Sequence, residues 1–110
     1  MRGVLTIIPA SGAASSQELV APPALEALKA GIGGGYIERV PGWTHYESKP
    51  CVAFCDEDGK RKRLPVNMRA TELWYKSVGG PVFDTYDGPQ DFLVGPIVIV
   101  TGDRELMEEL

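Results

Sequence analysis

The stretch from Cys51 to Val78 constrains the fold more than any other. Cys51-Val-Ala-Phe-Cys55 is an apolar run of strand length, Asp56-Glu-Asp-Gly59 supplies turn residues, and Lys60 to Leu64 follows as a basic segment. An Asp-Gly pair between two such runs predicts a β-hairpin, with its turn at Asp58-Gly59 and its return strand over 60–64. Pro65 stops that strand, and Asn67 is an N-cap for a helix over 68–78 with Ala70, Leu73, Trp74 and Val78 on one stripe. A hairpin feeding an amphipathic helix commits the chain to a sheet with helices packed on it.

The flanking segments extend this pattern. Gly3 to Ile8 is β-rich and stops at Pro9, as a buried strand would, whereas Ala10 to Val20 is small and polar and predicts a loop. Pro22-Pro23 opens a helix with Leu25, Leu28 and Ile32 on one face, which Gly31 and Gly33-Gly34-Gly35 end. These glycines follow a helix and precede a strand, the reverse of a phosphate-binding loop, so they are read as a cap. Tyr36 to Val40 is a second strand, and Trp43 to Pro50 is an aromatic-rich connection holding the single histidine.

Beyond the second helix, Gly79-Gly80-Pro81 is a stop, Val82-Phe83 a short edge strand and Asp84 to Gln90 a loop. Phe92 to Val100 is the last strand, with Gly95-Pro96 marking a bulge or an edge. Asp103 caps a short C-terminal helix carrying Leu106, Met107 and Leu110. The element order predicts an α+β two-layer sandwich: a mixed sheet of four to five strands with two helices on one face. A ferredoxin-like arrangement is the nearest common pattern.

A chain of 110 residues suits one domain, over 1–110. Fifteen acidic against eleven basic residues give a net charge of −4, which works against nucleic-acid binding. The longest apolar run, Phe92 to Val100, is too short for a membrane helix. The N-terminus is too β-branched and brief for a signal peptide, so a cytoplasmic location is expected. Cys51 and Cys55 lie about 13 Å apart along a strand, too far for a disulfide or for shared zinc ligation, and read as reduced core thiols. The acidic turn lacks the alternating oxygen ligands of a calcium loop. No metal site and no cofactor are indicated.

Four segments together carry a resemblance: Gly34-Gly-Tyr-Ile-Glu-Arg-Val40, Asp56-Glu-Asp-Gly-Lys60 running through Leu64-Pro-Val-Asn67, Arg69-Ala-Thr71, and Phe92-Leu-Val-Gly-Pro-Ile-Val-Ile-Val100. This series resembles a small domain family of unknown function common in bacteriophages, plasmids and bacteria. The resemblance covers roughly residues 25 to 100, with Ala10 to Val20 as an insertion. It implies a mobile-element accessory protein and carries no catalytic residues with it.

Among candidate sites, Arg61 and Arg63 share one face of the expected return strand, and Asn67 and Arg69 lie just beyond it at a helix N-terminus. Together they predict a site for a carboxylate or phosphate, against the plainer reading of a charged edge strand. Trp43 and Tyr46 are the aromatics expected to be exposed for binding, because Trp74 lies on the apolar helix stripe. The expected function is a non-enzymatic binding protein that takes a host protein or a small anionic, nucleotide-like ligand. The alternatives are a small hydrolase or transferase using His45 with Cys51 or Glu47, and a structural or assembly subunit. The small core and unplaced edge strands favour a homodimer.

Overall fold

A computed structural model describes residues 1–83 and 88–110. Gly3–Ile8 forms β1 and Ser15–Leu19 forms β2, paired antiparallel with Leu5 opposite Gln17. Leu25–Gly31 is α1, Ile37–Arg39 β3, His45–Tyr46 β4 and Lys49–Asp56 β5. Met68–Val78 is α2, Ile97–Gly102 β6 and Arg104–Met107 α3. The sheet runs β2-β1-β6-β5-β3, with β4 beside the start of β5, and every one of these pairings is antiparallel.

The fold is therefore α+β, but its layering departs from the expected one. Ile97-Val-Ile-Val100 is apolar at every position and fully buried, so β6 needs cover on both faces. Ile97 and Ile99 pack with Ile8, Ala53, Ala70 and Trp74, which places α2 on one side. Val98 and Val100 pack with Leu5, Leu28, Ile32, Phe54 and Leu106, which places α1 and α3 on the other. The six strands are antiparallel rather than mixed, and the helices lie on both faces rather than one. This sheet order and layering are not those of a ferredoxin-like sandwich.

Two segments differ from their sequence reading for reasons of pairing. Ser15-Ser-Gln-Glu-Leu19 has little strand propensity, yet the free edge of β1 supplies backbone partners along its length. The loop expected over Ala10 to Val20 thus contains a strand. Conversely, Lys60 to Leu64 is not a return strand, because both sides of β5 are already taken by β3 and β6. The segment coils instead through successive turns, Lys62 N–H bonding to Asp58 O, Arg63 N–H to Lys60 O and Leu64 N–H to Gly59 O.

The last strand begins at Ile97 rather than Phe92 and is central rather than an edge, with Gly95 at a left-handed φ of 70° just before it. Val82-Phe83 contributes only a bridge from Phe83 to Gln90, and residues 84–87 of the expected loop lie outside the described residues. The helix caps follow the sequence closely. Asn67 Oδ1 accepts from Ala70 N–H at 3.0 Å, Gly79 ends α2 at φ 91°, and Asp103 Oδ1 accepts from Leu106 N–H. Among the described residues no helix is long and apolar enough to cross a membrane.

Candidate functional site

Three of the four cations in the basic run pair with carboxylates, two of which belong to the acidic turn. Lys60 pairs with Asp91, Arg61 with Asp58 at 3.1 Å and Lys62 with Asp56 at 2.7 Å. Arg63 stands exposed at a φ of 58°. An Asp three residues before an Arg was the sequence signal for at least one of these pairs. Asp56 is the buried member, its side chain 4% exposed. Burial pushes its pKa up, but the Lys62 ammonium and the Asp58 N–H outweigh burial and hold it below the usual carboxylate value.

The sign of that shift gives a testable pH dependence. A lowered folded pKa contributes stability that is fully present above the ordinary value of 3.8 and is lost as pH falls through the folded value. Lys62→Met should cost about 1–2 kcal/mol at pH 7, since Lys62 is half exposed and partly screened. Urea midpoints measured from pH 7 down to pH 2 should show the wild-type advantage over Lys62→Met shrinking below pH 4. An advantage that stays constant with pH would be inconsistent with the ion pair as its source.

The expected cluster of Arg61, Arg63, Asn67 and Arg69 is divided by this arrangement. Asn67 is fully buried and its side chain is spent within the protein: Nδ2 donates to Ile8 O and Gly95 O at 2.9 Å each while Oδ1 caps α2. Trp43 is also core rather than an exposed aromatic, packed with Trp74 and Cys51, its indole N–H donating to His45 O at 3.0 Å. Arg69 points the other way, donating to Gly12 O in the β1–β2 turn at 2.9 Å. Its charge acts on Tyr46, lowering that phenol's pKa against burial and Glu47.

The pair borders the half of the sheet that α2 leaves uncovered. Side chains alternate along strands, so Val4 and Thr6 of β1, Ser16 of β2 and Thr101 of β6 share the face of Ile8 and Ile99. They floor a trough over which the β4–β5 hairpin projects Tyr46, Glu47 and Lys49. Toward the strand ends the trough widens into a depression of about 460 Å³ that Arg2, Glu18, Val20, Pro50 and Asp103 help to line. Thr6 Oγ1 and Ser16 Oγ lie 3.2 Å apart, and Thr101 lines the same floor beside them. Sequence reading missed Thr6, Ser16, Lys49 and Thr101, because isolated hydroxyls on strands give no motif.

The hairpin tip is held in an unusual conformation. Tyr46 faces Lys49, and the intervening Glu47 and Ser48 both adopt left-handed φ, at 52° and 65°. A two-residue loop of this kind favours Asn-Gly, and a side chain there costs about 1–2 kcal/mol per residue. Burial, and then the Glu47 charge, raise the Tyr46 pKa, while Arg69 opposes them. The phenol therefore stays protonated as a donor at neutral pH.

The thiol chemistry of the hydrolase reading is not assembled. Cys51 is core, its Sγ donating to Trp43 O at 3.9 Å, and burial pushes its pKa up to about 11. His45 is exposed on the hairpin with Nδ1 3.0 Å from Thr44 Oγ1. Both cysteines are free. Cys55 lies in a separate cleft of about 160 Å³ beside Lys60 and Asp91, its thiol raised to about 12 by burial and then by the charges of Glu38 and Asp56. Among the described residues no group of three or more His, Cys, Asp or Glu side chains is placed to hold a metal ion.

A family signature described as a domain of unknown function, DUF3846, matches residues 1–109. The chain belongs to the DUF3846 family. No curated protein and no solved structure matches it. The match spans the segment from Ala10 to Val20 that contains β2. The trough, which uses Ser16 of that strand, lies wholly within the DUF3846 span.

Proposed function

We propose that this protein is a non-enzymatic binding domain whose trough takes a small ligand bearing an anionic group together with hydroxyl or amino donors, as a nucleotide does. One observation carries the reading. Lys49 and Arg69 lie on the trough side of the sheet with no ion pair among the described residues, unlike Lys60, Arg61 and Lys62. The two cations supply charge for a phosphate or carboxylate, and the Thr101 and Tyr46 hydroxyls supply neutral hydrogen bonds. Glu47, held over the trough by its strained loop, is placed to accept from the ligand's own donors. The engagement of Cys51 in the core favours this reading over a hydrolase or transferase using His45 with Cys51. Resemblance to domains of bacteriophages and plasmids is the ground for reading it as a cytoplasmic mobile-element accessory protein that sequesters such a ligand.

Thermal denaturation with nucleoside monophosphates and cyclic nucleotides at millimolar concentration tests the proposal. Saturation at a hundredfold over Kd contributes about 2.7 kcal/mol, a rise of several degrees in Tm for a chain of this size. Lys49→Met and Arg69→Met should each reduce that rise at least by half. No stabilisation by any of these probes would sink the nucleotide reading, and an undiminished rise in both variants would move the site elsewhere.

A further inference from the structure

The two edges of the sheet are built differently. β3 is three residues long and carries Glu38 and Arg39 exposed, the usual protection against strand addition. β2 is five residues long, pairs with β1 without a bulge, and contains no proline, lysine or arginine. Its outer backbone groups meet no other strand among the described residues. Beside it, Val20 is 77% exposed.

We infer that β2 is the seam of a symmetric dimer in which it pairs antiparallel with β2 of a second copy, centred on Gln17. The sequence of the strand is self-complementary in that register. Gln17 faces Gln17 of the other copy, Ser16 faces Glu18 and Ser15 faces Leu19, so no like charges stand opposite. One step further out, the exposed Val20 covers Ala14. Shifting the centre to Glu18 would oppose two carboxylates, which disfavours that register. Antiparallel pairing within one sheet places the two-fold axis perpendicular to it, so both troughs open on the same side. A second copy satisfies the seam because its contacts are isologous and close on themselves.

Cross-linking reads the register directly. Residues facing each other in an antiparallel pair have Cα atoms about 4.5–5.5 Å apart, within the range for a disulfide. Gln17→Cys, treated with a mild oxidant, should give a covalent dimer under non-reducing denaturing electrophoresis. Ser15→Cys, whose two copies would lie about 13 Å apart in this register, should react at least tenfold more slowly. Sedimentation velocity of the unmodified protein should show a species of twice 11.9 kDa. Gln17→Lys, which sets two ammonium groups opposite each other at an exposed site, should weaken it by about three- to tenfold in Kd. A protein that remains monomeric at several hundred micromolar would overturn the inference. So would equal cross-linking through positions 15 and 17.

Discussion

Asn67→Ala should lower the stability of this protein by about 3–5 kcal/mol, through the loss of a helix cap together with two buried carbonyls left without donors. Asn67 is 0% exposed, and its side chain ties together three elements: the end of β1 at Ile8, the approach to β6 at Gly95, and the first turn of α2 at Ala70. Its backbone continues the same network, with Asn67 N–H donating to Leu93 O, and Thr71 Oγ1 donating to Asn67 O while accepting from Leu93 N–H. Alanine removes all three side-chain bonds and offers nothing to the carbonyls.

Asn67→Asp separates the cap from the carbonyl contacts. It keeps the acceptor for Ala70 N–H but sets a carboxylate against Ile8 O and Gly95 O. The folded state then favours the protonated acid, so the pKa rises and stability should improve as pH falls through that raised value. Urea unfolding followed by far-ultraviolet circular dichroism at pH 7 and pH 4 would show it. A cost for Asn67→Ala below about 1 kcal/mol would mean that water replaces the amide and that the three elements are held by packing alone.

Trp74→Ala is expected to cost about 3–5 kcal/mol, in the range of large-to-small changes in a packed core. Trp74 is 1% exposed and lies at the centre of the cluster that joins α2 to Ile97 and Ile99 of β6 and to Ala53 of β5. Its indole N–H also donates to Pro41 O at 2.8 Å, fastening the turn after β3 to the helix. Trp74→Phe fills most of the volume and removes only that bond, so it should cost about 1–2 kcal/mol. The ratio between the two variants, read from urea midpoints, separates packing from hydrogen bonding. Equal costs would show that the Pro41 contact dominates.

The parts of the fold legible in the sequence were those decided by neighbours along the chain. Strand β1, the Asn67 cap, the Gly79 stop, the Asp103 cap and the apolar character of β6 are local properties of a few residues each. What escaped was pairing. Ser15-Ser-Gln-Glu-Leu19 looks like a loop until β1 offers it an edge, and Lys60 to Leu64 looks like a strand until β3 and β6 have filled both sides of β5.

The candidate site divides along the same line. Tyr46 and Arg69 were legible as an aromatic in a connection and a cation at a helix start; Tyr46 lines the trough and Arg69 bonds to the β1–β2 turn. Arg61 was expected to face a ligand and instead faces Asp58, because charges a few residues apart in a coiled segment find each other first. Thr6, Ser16 and Thr101 carry no sequence signal at all, being single hydroxyls that become a floor only when three strands lie side by side.

By itself the chain determined its α+β class, its helix caps and the separation of its two cysteines along one strand, since these follow from short-range propensity, capping and strand geometry. Tertiary structure alone decided that the helices sit on opposite faces, that most of the basic run is paired at home, and that the free polar groups gather on the half of the sheet α2 does not reach. The physical reason is that backbone pairing and the two-sided burial of β6 are settled between residues far apart in sequence. Propensity and periodicity, which act over a few residues, do not encode them.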